Sequence, residues 1–135
     1  MLDFNEIKME IKQTTDQNIN IISSYTSSSI TVGNNKYVES ISLSRNTINH
    51  LNICKITELD INLLPEISKY EIIIFGTGSH TEKLTGKQLS YLAKTKTSYE
   101  FMRTESAIKT YNTLAHDNRE VIAILLIISL LLREI

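Results

Sequence analysis

Tyr70-Glu71-Ile72-Ile73-Ile74-Phe75-Gly76-Thr77-Gly78 is the stretch that decides how the rest of the chain folds. Four consecutive apolar side chains, three of them β-branched, predict a strand from Glu71 to Phe75 that is buried on both faces. A strand of that kind has no wet side on which polar residues would alternate, so it belongs in the interior of a sheet. Gly76 and Gly78 then end the strand with residues that reach positive φ and let another group approach the backbone closely.

Working downstream, Thr85-Gly86-Lys87-Gln88 has the capping-box pattern, in which a threonine hydroxyl and a glutamine amide satisfy orphan amides at a helix start. It predicts a helix opening at Thr85, with Leu84 stapled on Leu89 and with Leu89, Leu92 and Ala93 as its core face. Ser98 to Met102 reads as the next strand, Tyr99 and Phe101 sharing one side. From Thr104 the apolar period becomes 3.6, placing Ala107, Ile108, Tyr111, Leu114 and Ala115 on one stripe of a second helix. Asp117-Asn118 turns the chain into the apolar run Val121 to Leu132. Strand, helix, strand, helix, strand defines an α/β fold: a single-domain mixed sheet with helices packed on it and right-handed βαβ steps.

Upstream, Ile30 and Val32 face Tyr37 to Leu43 across Gly33-Asn34-Asn35-Lys36, a hairpin signal. Within Val38 to Leu43, Ile41 and Leu43 share one face and Val38, Ser40 and Ser42 the other, which predicts one wetter side. Ile48 to Ile56 reads as a further strand. Thr57, Glu58, Asp60 and the leucine spacing 59, 63, 64 with Ile67 suggest a helix near 57–67, interrupted or started by Pro65. Residues 1–28 are expected to form an N-terminal arm and first strand, 29–128 the α/β domain, and 129–135 an apolar C-terminal tail. The terminal apolar run covers about 12 residues, short of the roughly 20 that a helix needs to cross a bilayer core.

At 135 residues the chain fits one domain, and 41% hydrophobic content supports a packed core. A net charge of -1 provides no basic field for a phosphate backbone, which argues against nucleic acid as partner. Cys54 is the one cysteine, so neither an internal disulfide nor a cysteine metal cluster is available within the chain. The acidic N-terminal start lacks a secretory pattern, and together these features predict a cytoplasmic setting.

Three segments, Ile72-Ile73-Ile74-Phe75-Gly76-Thr77-Gly78, Phe101-Met102-Arg103-Thr104-Glu105-Ser106-Ala107 and 109–123 with its Thr110-Tyr111-Asn112-Thr113-Leu114-Ala115 element, together resemble the Mth938-like (DUF498) family. That family includes the mitochondrial complex I assembly factor 3 proteins. The resemblance covers roughly residues 28 to 127, including Ile30-Thr31-Val32-Gly33-Asn34-Asn35-Lys36-Tyr37 where the family places a short hairpin. It implies a compact α/β domain and, for the mitochondrial branch, a non-catalytic partner in respiratory-complex assembly. For most bacterial members it implies no settled activity. Arg103 stands where the family usually has aspartate, and Ile108-Lys109 where it often has Cys-Arg.

The candidate binding residues are Gly76, Thr77, Gly78, Thr104, Thr110, Tyr111, Asn112 and Arg119. Glycine amides beside a helix start attract anions, and α/β sheets place sites at the carboxyl ends of their strands. Each residue also has a structural reading: Thr104 as an N-cap, Tyr111 as a core aromatic, Asn112 as a bracket on backbone. Neither phosphate-loop nor dinucleotide glycine spacing is present. His50, His80 and His116 lack metal-ligand spacing, and dispersed single residues assemble no nucleophile, base and acid set. The sequence therefore predicts no catalytic residues, metal or cofactor. It points to an interaction or assembly protein that self-associates or binds protein partners, with a ligand pocket at the Gly-Thr-Gly turn as the second reading.

Overall fold

The computed structural model describes residues 18–61, 64, 67–78 and 83–127. In chain order they form β1 (Ile22–Thr26), β2 (Ser29–Val32), β3 (Asn35–Tyr37), β4 (Ile41–Ser44), β5 (Ile48–His50), β6 (Ile72–Gly76), α1 (Gly86–Thr95), β7 (Ser98–Met102), α2 (Thr104–His116) and β8 (Val121–Leu125). Strands β1, β2 and β3 make an antiparallel sheet, and the other five form a mixed sheet in the order β5-β4-β8-β6-β7. Pairing within the mixed sheet is antiparallel from β5 to β4 to β8 and parallel from β8 to β6 to β7. This is the α/β mixed-sheet domain the alternation of elements predicts.

The apolar run Ile72 to Phe75 lies inside the sheet, between β8 and β7. Ile74 packs into one core with Ile41, Leu43, Ala107, Ile108, Tyr111 and the Ile22, Ile30 and Val32 side chains of the small sheet. Ile73 and Phe75 pack into a second core on the other face with Leu92, Ile122, Ile124 and with Ile56, Leu59, Ile61, Leu64, Ile67 and Tyr70. A strand with two dry faces needs hydrophobic residues at every position, which is why it does not alternate. The α2 stripe Ala107, Ile108, Tyr111 and Ala115 is buried as its period requires.

Several local expectations are corrected. The stretch from Tyr37 to Leu43 is not one strand: it divides at Val38 to Ser40 into β3 and β4, which belong to different sheets. Gly33, at φ +61 in the first position of the tight turn, lets β2 pair with β3 in the register Val32↔Asn35. The side of β4 expected to be wet is dry, because Leu51, Ile53, Leu59 and Leu64 gather around it and Ser40, Ser42 and Ser44 are all buried. The strand anticipated over 48–56 stops at His50. Near 57–67 the described residues form 3-10 turns at Ile56–Glu58 and Ile67–Lys69 instead of a continuous α-helix.

Helix α1 opens with the expected capping box, the Gln88 amide donating to Thr85 Oγ1 at 3.1 Å and Gln88 Oε1 accepting from the Thr85 amide at 2.9 Å. Its buried face differs from the expectation. Leu89 is 40% exposed and Ala93 is exposed, whereas Gln88 and Leu92 point inward. Gln88 goes in because its Nε2 donates to the carbonyls of Ile56 and Leu59, at 3.0 and 2.7 Å, satisfying loop oxygens that an apolar side chain would orphan. The expected arm over the first 17 residues and the tail over 129–135 lie outside the described residues.

Candidate functional site

The Gly-Thr-Gly turn lies at the carboxyl end of β6, where the start of α2 meets it. Gly76 has no room for a side chain: an added Cβ would fall 2.8 Å from the Ala107 Cβ and 3.0 Å from Leu125 Cδ2. Its role is to let α2 rest directly on the strand. Gly78 adopts φ +86, and its amide donates to Thr104 Oγ1 at 2.8 Å while the Thr104 amide donates back to the Gly78 carbonyl at 3.1 Å. The Thr77 amide donates to the Met102 carbonyl at 3.0 Å. The Thr77 and Gly78 amides are thus engaged in closing the turn. Arg103 occupies the N-cap position without a side-chain cap, and the Thr104 hydroxyl holds the glycine turn instead.

Thr110, Tyr111 and Asn112 lie two turns along α2. Thr110 is half-buried. Tyr111 is fully buried, its hydroxyl donating to the Asn20 carbonyl at 2.7 Å, and burial raises its phenol well above the ordinary tyrosine value. Asn112 brackets one residue of β1: Nδ2 donates to the Ile22 carbonyl at 2.9 Å, and Oδ1 accepts from the Ile22 amide at 3.0 Å. The side chain thus replaces a neighbouring strand for Ile22 and fastens the small sheet to the helix.

Arg119 is at the other end of the molecule, just before β8. Its Nε donates to Glu71 Oε1 at 2.6 Å, and the Glu120 amide approaches Glu71 Oε2 at 3.4 Å. The Arg119 hydrogen bond, followed by that amide, holds the Glu71 carboxyl below its ordinary range. Because β6 and β8 run parallel with Ile72 beside Val121, this pair marks the amino edge of the sheet. A helix of 13 residues, roughly 20 Å long, separates it from the Gly78 turn. The structure therefore joins Gly76, Thr77, Gly78 and Thr104, sets Thr110, Tyr111 and Asn112 against the first strand, and leaves Arg119 apart from both.

The more open concavity was not anticipated. A cleft of about 530 Å³ lies over β4 and β5, with Ser42 and Asn49 on its strand side, Leu51, Leu59 and Leu64 as apolar wall, and Glu58 and Asp60 as its acids. A smaller one of about 300 Å³ lies between the 57–61 segment and α1, next to Tyr91 and Lys87. Ser40, Ser42 and Ser44 on a strand whose other side is apolar were the available signal. In sequence alone, such serines look the same as a solvated face.

A helix on either side of a five-stranded mixed sheet, with a three-stranded sheet fastened to one helix, is the Mth938-like α/β architecture. The model for the family described as protein of unknown function (DUF498/DUF598) matches residues 22–126, and the chain belongs to that family. The match begins at Ile22, the first residue of β1. A Bordetella parapertussis protein of known crystal structure is 22% identical, with TM-score 0.73 over 83% of this chain and 98% of its own. A Bartonella henselae structure described as an outer membrane protein is 24% identical, with TM-score 0.73 over 82% of this chain and 96% of its own. A Bordetella pertussis Mth938-like domain solved by NMR is 19% identical, with TM-score 0.71 over 84% and 89%. At these identities the structures establish a shared fold. No curated protein matches. Among the described residues, no helix is long and apolar enough to cross a membrane.

Proposed function

We propose that this protein is a small non-catalytic interaction or assembly protein. The observation that carries the reading is how the candidate polar groups are used. The Thr104 hydroxyl holds Gly78, the Tyr111 hydroxyl holds Asn20, both polar atoms of Asn112 hold Ile22, and Arg119 holds Glu71. Groups committed to the scaffold in this way are poor agents of chemistry, since a reacting group must be presented to substrate. The sequence resemblance to the Mth938-like family, which includes the complex I assembly factor 3 proteins, supports extending the proposal to the biogenesis of a respiratory complex.

Strand β7 offers a surface for such association. With β5 it is one of the two outer strands of the mixed sheet among the described residues, and an outer strand exposes backbone groups to which another chain can pair. Tyr99, 38% exposed, stands edge-on to Phe101 there and adds apolar contact area. Affinity capture of the full chain from its native cells, with Tyr99→Lys and Glu100→Lys as edge variants, tests the proposal. A stable partner recovered with the unaltered chain and lost with both variants supports it. A monomer by light scattering that brings down no partner overturns it.

A further inference from the structure

We propose that β7 takes up, antiparallel, an extended segment of another protein that sets a lysine or arginine opposite Glu100 and apolar residues opposite Tyr99 and Phe101. The proposal rests on the assembly reading and names the partner's chemistry at the same strand. The backbone comes first. The Ser98 amide donates to the Glu71 carbonyl at 3.3 Å and the Met102 carbonyl accepts from the Thr77 amide at 3.0 Å, so these two residues turn their backbone groups toward β6. Backbone groups alternate in direction along a strand, and the amides and carbonyls of Tyr99 and Phe101 therefore face the open side of β7, where the described residues place no further strand. An antiparallel segment engages two such residues with four hydrogen bonds. The opposite outer strand, β5, spans three residues and offers a shorter run.

The side chains specify what pairs there. On one face Phe101 stacks on Phe75 with centroids 4.9 Å apart, and Tyr99 meets Phe101 edge-on at 5.8 Å, which carries an aromatic shelf out to the border of the sheet. Tyr99 is partly exposed, so apolar side chains of an incoming strand would gain buried area on it. Glu100 alternates to the other face, which it shares with Met102, and is exposed at the centre of the strand. Directly opposite residues of an antiparallel pair share a face, and opposite charges there stabilise whereas like charges repel.

That rule also disfavours a second copy of this chain. The symmetric register that uses all four outward backbone groups pairs Tyr99 with Phe101 of the copy, and it sets Glu100 against Glu100. Shifting the register to bring Tyr99 opposite Arg103 loses an acceptor, because the Arg103 carbonyl already accepts from the Ala107 amide at 2.9 Å. Glu100 thus acts against self-pairing and in favour of a basic residue on a different chain.

The test is an amide NMR titration of the full chain with acetyl-Thr-Thr-Val-Lys-Val-Thr-Thr-amide and with the same peptide carrying glutamate in place of lysine. The lysine peptide should give saturable shifts centred on Tyr99, Glu100 and Phe101 and slow the exchange of the Tyr99 and Phe101 amides, with the glutamate peptide about five-fold weaker. Glu100→Lys, at an exposed position, should reverse the preference while the melting temperature is retained. No saturable shift at β7, equal affinity for the two peptides, or a preference for lysine that survives Glu100→Lys in a folded protein would each overturn the proposal. So would a doubled mass by light scattering with the Tyr99 and Phe101 amides already protected in the absence of peptide, since a second copy would then hold the strand. The titration needs only the isolated chain, so its failure leaves capture of a native partner standing, and failure of the capture leaves the peptide preference standing.

Discussion

Gly78 and Thr104 hold each other through two hydrogen bonds: the Gly78 amide donates to the Thr104 hydroxyl at 2.8 Å, and the Thr104 amide donates to the Gly78 carbonyl at 3.1 Å. The pair fixes where β6 ends and where α2 begins. Thr104→Val keeps the shape and removes the acceptor, leaving the Gly78 amide unsatisfied in a partly buried turn. A loss of about 1–3 kcal/mol in urea unfolding is expected, with Thr104→Ser close to the unaltered protein. Equal loss from both substitutions would show that the methyl group, and not the hydroxyl, matters.

Gly76 is under a different constraint, since its φ is ordinary and the restriction is contact with Ala107 and Leu125. Gly76→Ala should destabilise by about 1–3 kcal/mol through overpacking. Ala107→Gly removes the nearer obstacle at the cost of about 1 kcal/mol of helix propensity. The double variant should be more stable than the sum of the two losses predicts, and a thermodynamic cycle reads that coupling directly.

Asn112 carries the link between α2 and the small sheet. Asn112→Ala leaves the Ile22 amide and carbonyl without their helix partner, and a loss of about 2 kcal/mol is expected. Hydrogen exchange should locate the effect: amides in β1 and β2 should lose more protection than those in β6 and β8. Uniform loss across both sheets would show that the small sheet does not open separately.

The Glu71 and Arg119 pair predicts an acid limb. The folded carboxyl titrates below its ordinary value of 4.5, so its contribution is present above that value and disappears as pH falls through the lowered one. Arg119→Gln should make the fall in stability on acidification shallower, with the two proteins converging at the acid end. Both side chains are about half exposed, so added salt should shrink the difference. Melting curves at several pH values and two salt concentrations provide the measurement.

Tyr99 and Phe101 show where reading the chain succeeds. They share a side of β7 as alternation requires, and both rings meet Phe75 from the neighbouring strand. Leu89 and Gln88 show where it fails. Hydrophobicity assigns the leucine to the core, but two loop carbonyls reward the amide, and those carbonyls come from residues some thirty positions earlier. The candidate site behaved similarly. Thr104 and Gly78 were grouped by the rule that sites gather at strand ends, whereas Arg119, near Asn112 in sequence, is carried to the far edge by the intervening helix.

Periodicity, β-branched runs, the capping box and the glycine positions are local properties, and they alone determined the strand-helix-strand-helix-strand order from Ile72 to Leu125, the interior placement of Ile72 to Phe75 and the buried stripe of α2. The tertiary structure decided which polar groups are spent on the scaffold, that β3 and β4 belong to different sheets, and that the serine side of β4 is buried beside a cleft. A polar side chain has the same local signature whether water, backbone or an empty space lies opposite it, and only the folding of distant segments over β4 settles which.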